Sequence, residues 1–167
     1  MKDSERLANE LQGTREWTLK LLADIVDDDW GFQPGAGLAH PLWIAGHLAV
    51  SQHTLVFVRC LGRSILVDSF SRHFPIGGPI PSAKEYGYPS VDNVLATMHD
   101  VHEQTIEAVR TMTDAVLDQP AYAADGKSSH PHYKDKRGAV AHCNRHEAFH
   151  AGQLALIRRL LGRSFLR

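Results

Sequence analysis

The sequence predicts an all-α protein built as a four-helix bundle, with long connections after its second and third helices. Three observations carry this. Four stretches of roughly 20 to 28 residues repeat apolar side chains at helical spacing. Glycine, proline and cap-forming residues bracket each stretch. No segment alternates apolar and polar residues for more than about four or five positions, as a half-buried strand would. At 167 residues the chain suffices for one well-buried domain and is short for two, so residues 1–167 read as a single unit.

The first helix is expected over about 4–27, capped by Asp3 or Ser4, with the stripe Leu7, Leu11, Thr14, Thr18, Leu21 and Ile25 inward and its charges elsewhere. Carboxylates oppose a helix C-terminus, so Asp27, Asp28 and Asp29 belong to the loop that follows. The segment 30–39, with three glycines and Pro34, is a connection. His40-Pro41 opens the second helix, with proline at its tolerated first position. That helix runs to Leu61 and turns its stripe Ile44, His47, Leu48, Ser51, Leu55 and Val58 inward. His47 lies inside this apolar stripe.

Residues 63–89, rich in proline, glycine and aromatic side chains, read as an irregular lid or partner-facing flap. Ser90 caps a third helix to about Asp118, with Val91, Leu95, Met98, Val101, His102, Thr105, Val109, Met112 and Val116 inward, and Pro120 closes it. A polar connection over 121–134 leads to the fourth helix, about 135–161. Its inward face reads Val140, Cys143, His146, Glu147, His150, Leu154, Ile157 and Leu161. Leu-Gly-Arg-Ser recurs at 61–64 and 161–164, which marks two similar helix ends with glycine just beyond the last turn.

Composition narrows the function classes. The chain is 43% hydrophobic and 22% charged with a net charge of −1, which gives no broad electrostatic case for nucleic acid. The N-terminal residues lack the apolar core of a signal peptide, and no apolar run approaches ~20 residues, so a cytoplasmic protein with no membrane partner is expected. Cys60 and Cys143 fall in different helices and are expected as free thiols. Eleven histidines are the unusual feature.

Two of them, in His146-Glu147-Ala148-Phe149-His150, lie four apart on one helix face, so both imidazoles can reach one metal ion. The zinc-protease pattern would add a third ligand downstream. Metzincins require glycine where this chain has Gln153 and histidine where it has Leu156. The 17 residues after His150 contain no His, Asp, Glu or Cys, so the third ligand is expected upstream. His47 is the best candidate, because coordination would satisfy one nitrogen of a buried imidazole.

Ile44-Ala45-Gly46-His47-Leu48, followed about a hundred residues later by His146-Glu147-Ala148-Phe149-His150-Ala151-Gly152-Gln153, resembles the DinB/YfiT-like family. The likeness runs from the first helix to Leu161 and includes the Pro89-Ser90 start of the third helix after a tyrosine-rich loop. It implies an up-down four-helix bundle with an unusual helix order, frequent homodimers, and a divalent metal, commonly zinc or nickel, on three histidines. By motif position these are His47, His146 and His150. Characterised branches use the metal to hold a low-molecular-weight thiol for transfer or isomerisation.

The expected function is thus a metal-dependent enzyme, transferase or hydrolase, acting on a small molecule, with a thiol as possible cosubstrate. One alternative is a non-catalytic homodimeric bundle stabilised by the metal. A metallopeptidase with Glu147 as general base is a third reading, although a structural Glu147 is favoured. Glu147 and Gln153 are the candidate catalytic side chains. His53, His102, His142 and Cys143 are read as helix-face, packing or supporting residues. Trp43 is read as core, and Arg145, Arg158 and Arg159 as exposed helix arginines.

Overall fold

The computed structural model describes residues 2–125 and 128–166. Four long helical segments form the body: α1 (Asp3–Leu22), α2 (Pro41–Gln52), α5 (Val91–Thr111) and α7 (Lys136–Leu160). α2 continues through a π-helical stretch, His53–Val58, into the short α3 (Arg59–Leu61). Two single-turn helices, α4 (Asp68–Ser71) and α6 (Asp114–Leu117), lie in the connections. No strand occurs among the described residues, where Tyr122 and Ser129 make an isolated bridge. The dominant contacts run α1–α7, α7–α2, α2–α5 and α5–α1. Consecutive helices α1 and α2 therefore sit across the bundle from one another, as do α5 and α7.

Local chemistry explains the helix ends. The His40 ring accepts from the Trp43 N–H, and Asp135 accepts from the Gly138 N–H. Gly62 and Gly162 adopt left-handed backbone with φ of 66° and 73°. At the second of these, Arg163 and Gly162 donate to the Arg158 and Arg159 carbonyls, closing the α7 C-terminus.

Three boundaries differ from expectation. α1 stops at Leu22, because Ile25 turns back onto the Leu22 carbonyl and Asp27 takes a φ of 45°; Asp27–Gly31 then forms a 3₁₀ turn. Its N-cap is Lys2, with Asp3 already helical. The third helix does not reach Asp118. Met112 is extended, and the Thr113 side chain accepts from the Val116 N–H to cap a separate α6. In the second helix the π-helical stretch adds a residue to the turn and shifts the inward face. Val58 is therefore only half-buried, while Val56, Phe57 and Cys60 are in the core.

The apolar core comes in two parts. One gathers Leu21, Trp30, Trp43, Ile44, Phe74, Met98, Leu154 and Ile157. The other gathers Leu7, Leu11, Phe57, Ile106, Val109, Leu117 and Val140. Each long helix, α2 together with its continuation through α3, contributes to both, and between its two contributions each carries buried polar residues: Arg15 and Thr18, Ser51 and Gln52, His102 and Thr105, Glu147. A polar layer thus crosses the bundle between two apolar ones.

The 63–89 segment is a packed flap. Its Phe70 and Phe74 are buried, and Phe74 lies flat against the backbone of Gly46, where a Cβ would meet the ring at 2.2 Å. Tyr88 stacks on Phe74 and meets the edge of His40. Gly46→Ala is expected to destabilise by about 1–3 kcal/mol through overpacking. Gly13→Ala, in open space on α1, is expected to stabilise by about 0.5–1 kcal/mol. Urea denaturation of both variants checks the pair, and a neutral Gly46→Ala would mean the flap does not rest on α2.

Candidate metal centre

α2 delivers His47, and α7 delivers His146 and His150, one turn apart. Their ligand atoms all lie within 4.8 Å of one another, the only such His, Cys, Asp or Glu group of three or more among the described residues. The Nε2 atoms of His47 and His146 are 3.2 Å apart, as are those of His146 and His150. Nitrogens bound at zinc distances in tetrahedral geometry would be separated by about 3.3 Å. Three neutral imidazoles aimed at one point can share at most a proton or two between them, so the cluster suits a cation better than mutual hydrogen bonding.

The surroundings hold the rings in the ligating form. His150 Nδ1 lies 2.8 Å from Gln153 Oε1, an acceptor, so Nδ1 carries the proton and Nε2 keeps its lone pair. Trp43 stacks on His47 with ring centres 4.3 Å apart and an 11° tilt. Trp43 is thus both core and the platform of a candidate ligand. The Phe74 carbonyl favours a proton on the His47 ring, although no hydrogen bond closes and Nδ1 stays unpaired. Ser51 Oγ lies 3.3 Å from His47 Nε2. Burial, with repulsion from His150 and then His146, lowers the His47 pKa to about 3. Burial, then His150 and His142, lowers His146 to about 4, and burial lowers His150 as well. All three rings are therefore neutral at neutral pH, as metal binding requires.

Glu147 is turned to a different task. Its two oxygens accept from Arg15 Nε at 2.7 Å and Nη2 at 3.0 Å, and both residues are 2% exposed. Arg15 also donates to the Met98 carbonyl and to Gln52 Oε1. The ion pair accounts for both carboxylate oxygens, which supports the structural reading of Glu147 over that of a general base. Sequence reasoning missed Arg15, which it left on the exposed side of α1. The available signal was spacing: Arg15 follows Leu7 and Leu11 at steps of four, inside the stripe.

The remaining candidates disperse. His102 Nδ1 meets Gln52 at 3.1 Å in the polar layer. His53 Nε2 accepts from the Ile65 N–H and ties the helix to the flap. The His142 ring centre stands 6.0 Å from that of His146 and contacts Tyr133. Cys143 and Cys60 are free and buried, and burial pushes the Cys60 thiol up to about 12 and Cys143 upward as well. Arg145 and Arg159 are exposed as expected. Arg158 is buried instead, donating to the Leu21 carbonyl at the end of α1 and pairing with Asp24. The desolvated stem and the α1 carbonyl explain its position.

The DinB superfamily profile matches residues 10–154. In fold the chain is similar to a DinB-like protein of Bacillus subtilis known from a crystal structure, with a TM-score of 0.68 and 17% sequence identity over 97% of this chain and 96% of that one. No curated protein matches the sequence. No described helix is long and apolar enough to cross a membrane.

Arg15→Met strands the Glu147 carboxylate in the core and is expected to cost about 3–5 kcal/mol in urea denaturation. Adding Glu147→Met should recover most of that loss, and a double variant as unstable as the single one would contradict the pairing. In metal-stripped protein, His47, His102 and His146 stay neutral in the fold but protonate near pH 6.5 when unfolded. Stability is therefore expected in full above about pH 6.5 and to fall as pH drops toward 4, by up to about 1.4 kcal/mol per pH unit for each group. A flat stability profile between pH 6.5 and 4.5 would contradict their burial as neutral rings.

Proposed function

The chain belongs to the DinB superfamily, and from that premise we propose that its three converging histidines hold one divalent metal ion. The protein is then a metal-dependent enzyme acting on a small molecule, with a low-molecular-weight thiol as its cosubstrate. The observation that carries this reading is the triangle of Nε2 atoms, with two sides of 3.2 Å. Imidazole donors suit zinc and nickel. Three protein ligands are the number that leaves a coordination position free, whereas purely structural zinc sites use four. Bound there, the ion supplies Lewis acidity and lowers the pKa of a thiol or water in that position.

The chain's own residues do the rest. Gln153 keeps the His150 proton on Nδ1, and Trp43 fixes the plane of His47. Ser51 Oγ, 3.3 Å from His47 Nε2, stands beside the ligating atoms. The peptidase reading gains no support, since it needs a carboxylate free to take a proton from water, and Glu147 is occupied by Arg15.

Purified protein should contain about one divalent metal ion per chain by elemental analysis, because three imidazole ligands with a shielded neutral form make a tight site. His47→Ala should be purified largely metal-free, and unchanged metal content would remove the triad. Cobalt-substituted protein should develop a sulfur-to-metal charge-transfer band on adding cellular thiols. A protein that retains its metal but shows no such band with any thiol would leave the metal site standing and overturn the thiol.

A further inference from the structure

The histidine triad opens on one side. His47 and His150 are buried, whereas His146 is half-buried, and so is His142 one turn before it on α7. Ring contacts lead outward from there. His142 lies 6.0 Å from His146 between ring centres, Tyr133 lies 5.2 Å from His142, and His130 stacks on Tyr133 at 4.5 Å. His130 is itself fixed, since its Nδ1 accepts from the His132 and Tyr133 N–H groups.

Two arginines flank this row. Arg145 precedes His146 on α7, and Arg59 opens α3, where its carbonyl accepts from the Tyr122 N–H and ties down the connection leading into α7. The charges of both act on Tyr133; Arg59 also acts on His130, and Arg145 on His142. No Asp or Glu among the described residues acts on these three rings. Neither guanidinium pairs with a carboxylate or donates a hydrogen bond among the described residues. Arg145 is exposed, but Arg59 is half-buried. Of the Arg59 nitrogens only Nη1 is buried without a partner, which leaves Nε and Nη2 at the surface. A guanidinium drawn partly out of water with no acceptor is costly, and an anion on its open edge would recover that cost.

We propose that Arg59 and Arg145 bind the carboxylate or phosphate end of a small molecule whose other end lies at the triad. Tyr133 and His142 form the wall between the two ends, so the ligand spans two ring contacts. The planar fork of arginine suits the oxygens of either acid. Arg59 carries more of the recognition, because solvent screens the exposed Arg145. For its inner end the proposal rests on the triad being a metal site; the anion site at the mouth does not need the ion.

The test uses the full-length protein in two arms. In the first, the cobalt-substituted protein is titrated with 6-mercaptohexanoate and with 6-mercaptohexanol, which differ only at the far end. The acid should bind about tenfold more tightly. Arg59→Gln should remove most of that advantage and Arg145→Gln should weaken the acid about threefold, both leaving the alcohol unchanged. In the second arm, the guanidinium ¹⁵N–H signals of Arg59 in the wild-type protein are followed during addition of hexanoate or monohexyl phosphate. They should move saturably, and the tighter of the two acids identifies the group recognised. This arm needs neither a thiol nor a variant that folds, and it decides alone if no thiol alters the cobalt spectrum. Moving Arg59 signals with a silent cobalt spectrum would keep the anion site and remove the thiol. Equal binding of acid and alcohol, or Arg59 signals unmoved by both acids, would overturn the proposal and leave the two arginines as solvated side chains.

Discussion

The buried ion pair between Arg15 and Glu147 is the constraint on which the rest of this structure depends. Two full charges removed from water demand nearly ideal geometry, and the pair obtains it from a two-pronged contact with further bonds to Met98 and Gln52. These contacts join all four long helices at one level. A helix that slid or rotated by one residue would leave a charge or an amide unmatched in the core, at a cost larger than any local repacking could offset. Apolar packing above and below supplies much of the stability, but it tolerates substitution and sliding far better. The polar layer selects one register from the several that leucine and valine would accept.

The candidate metal centre inherits its geometry from that register. Glu147 stands directly between His146 and His150 in sequence, so anchoring it to α1 also orients the face of α7 that carries both imidazoles. On α2, Gln52 enters the layer five residues beyond His47, and the π-helical stretch begins immediately after it. The extra residue in that turn lets His47 and Gln52 meet their partners while Phe57 and Cys60 still reach the lower core. Convergence of the three rings is thus a by-product of how the helices are locked. Gln153 and Trp43 then fix protonation and plane.

Much of this was legible in the sequence. The four helices, the start of the second at His40-Pro41 and the cap at Ser90 follow from periodicity and turn chemistry, and the His₃ set follows from spacing and a stripe position. Other features left no local mark. A threonine cap at Thr113 competes with continuing the third helix, and periodicity alone does not say which wins. The π-helical stretch lies in a segment apolar on nearly every side, where a change of phase is invisible. Arg15 and Arg158 look like solvent-facing charges because composition prices them as exposed; only their partners 132 and 134 residues away make burial tolerable.

Sequence alone determined the helical architecture and the chemistry available to its core, because both are written in short-range patterns of three to four residues. It also placed two imidazoles on one face of α7 and a third inside the stripe of α2. Only the tertiary structure decided that the three rings meet, that Glu147 serves an ion pair, and that His102 joins Gln52 in the polar layer. Each of these depends on partners distant in sequence, and no local pattern encodes which charges and hydrogen bonds the assembled helices will bring together.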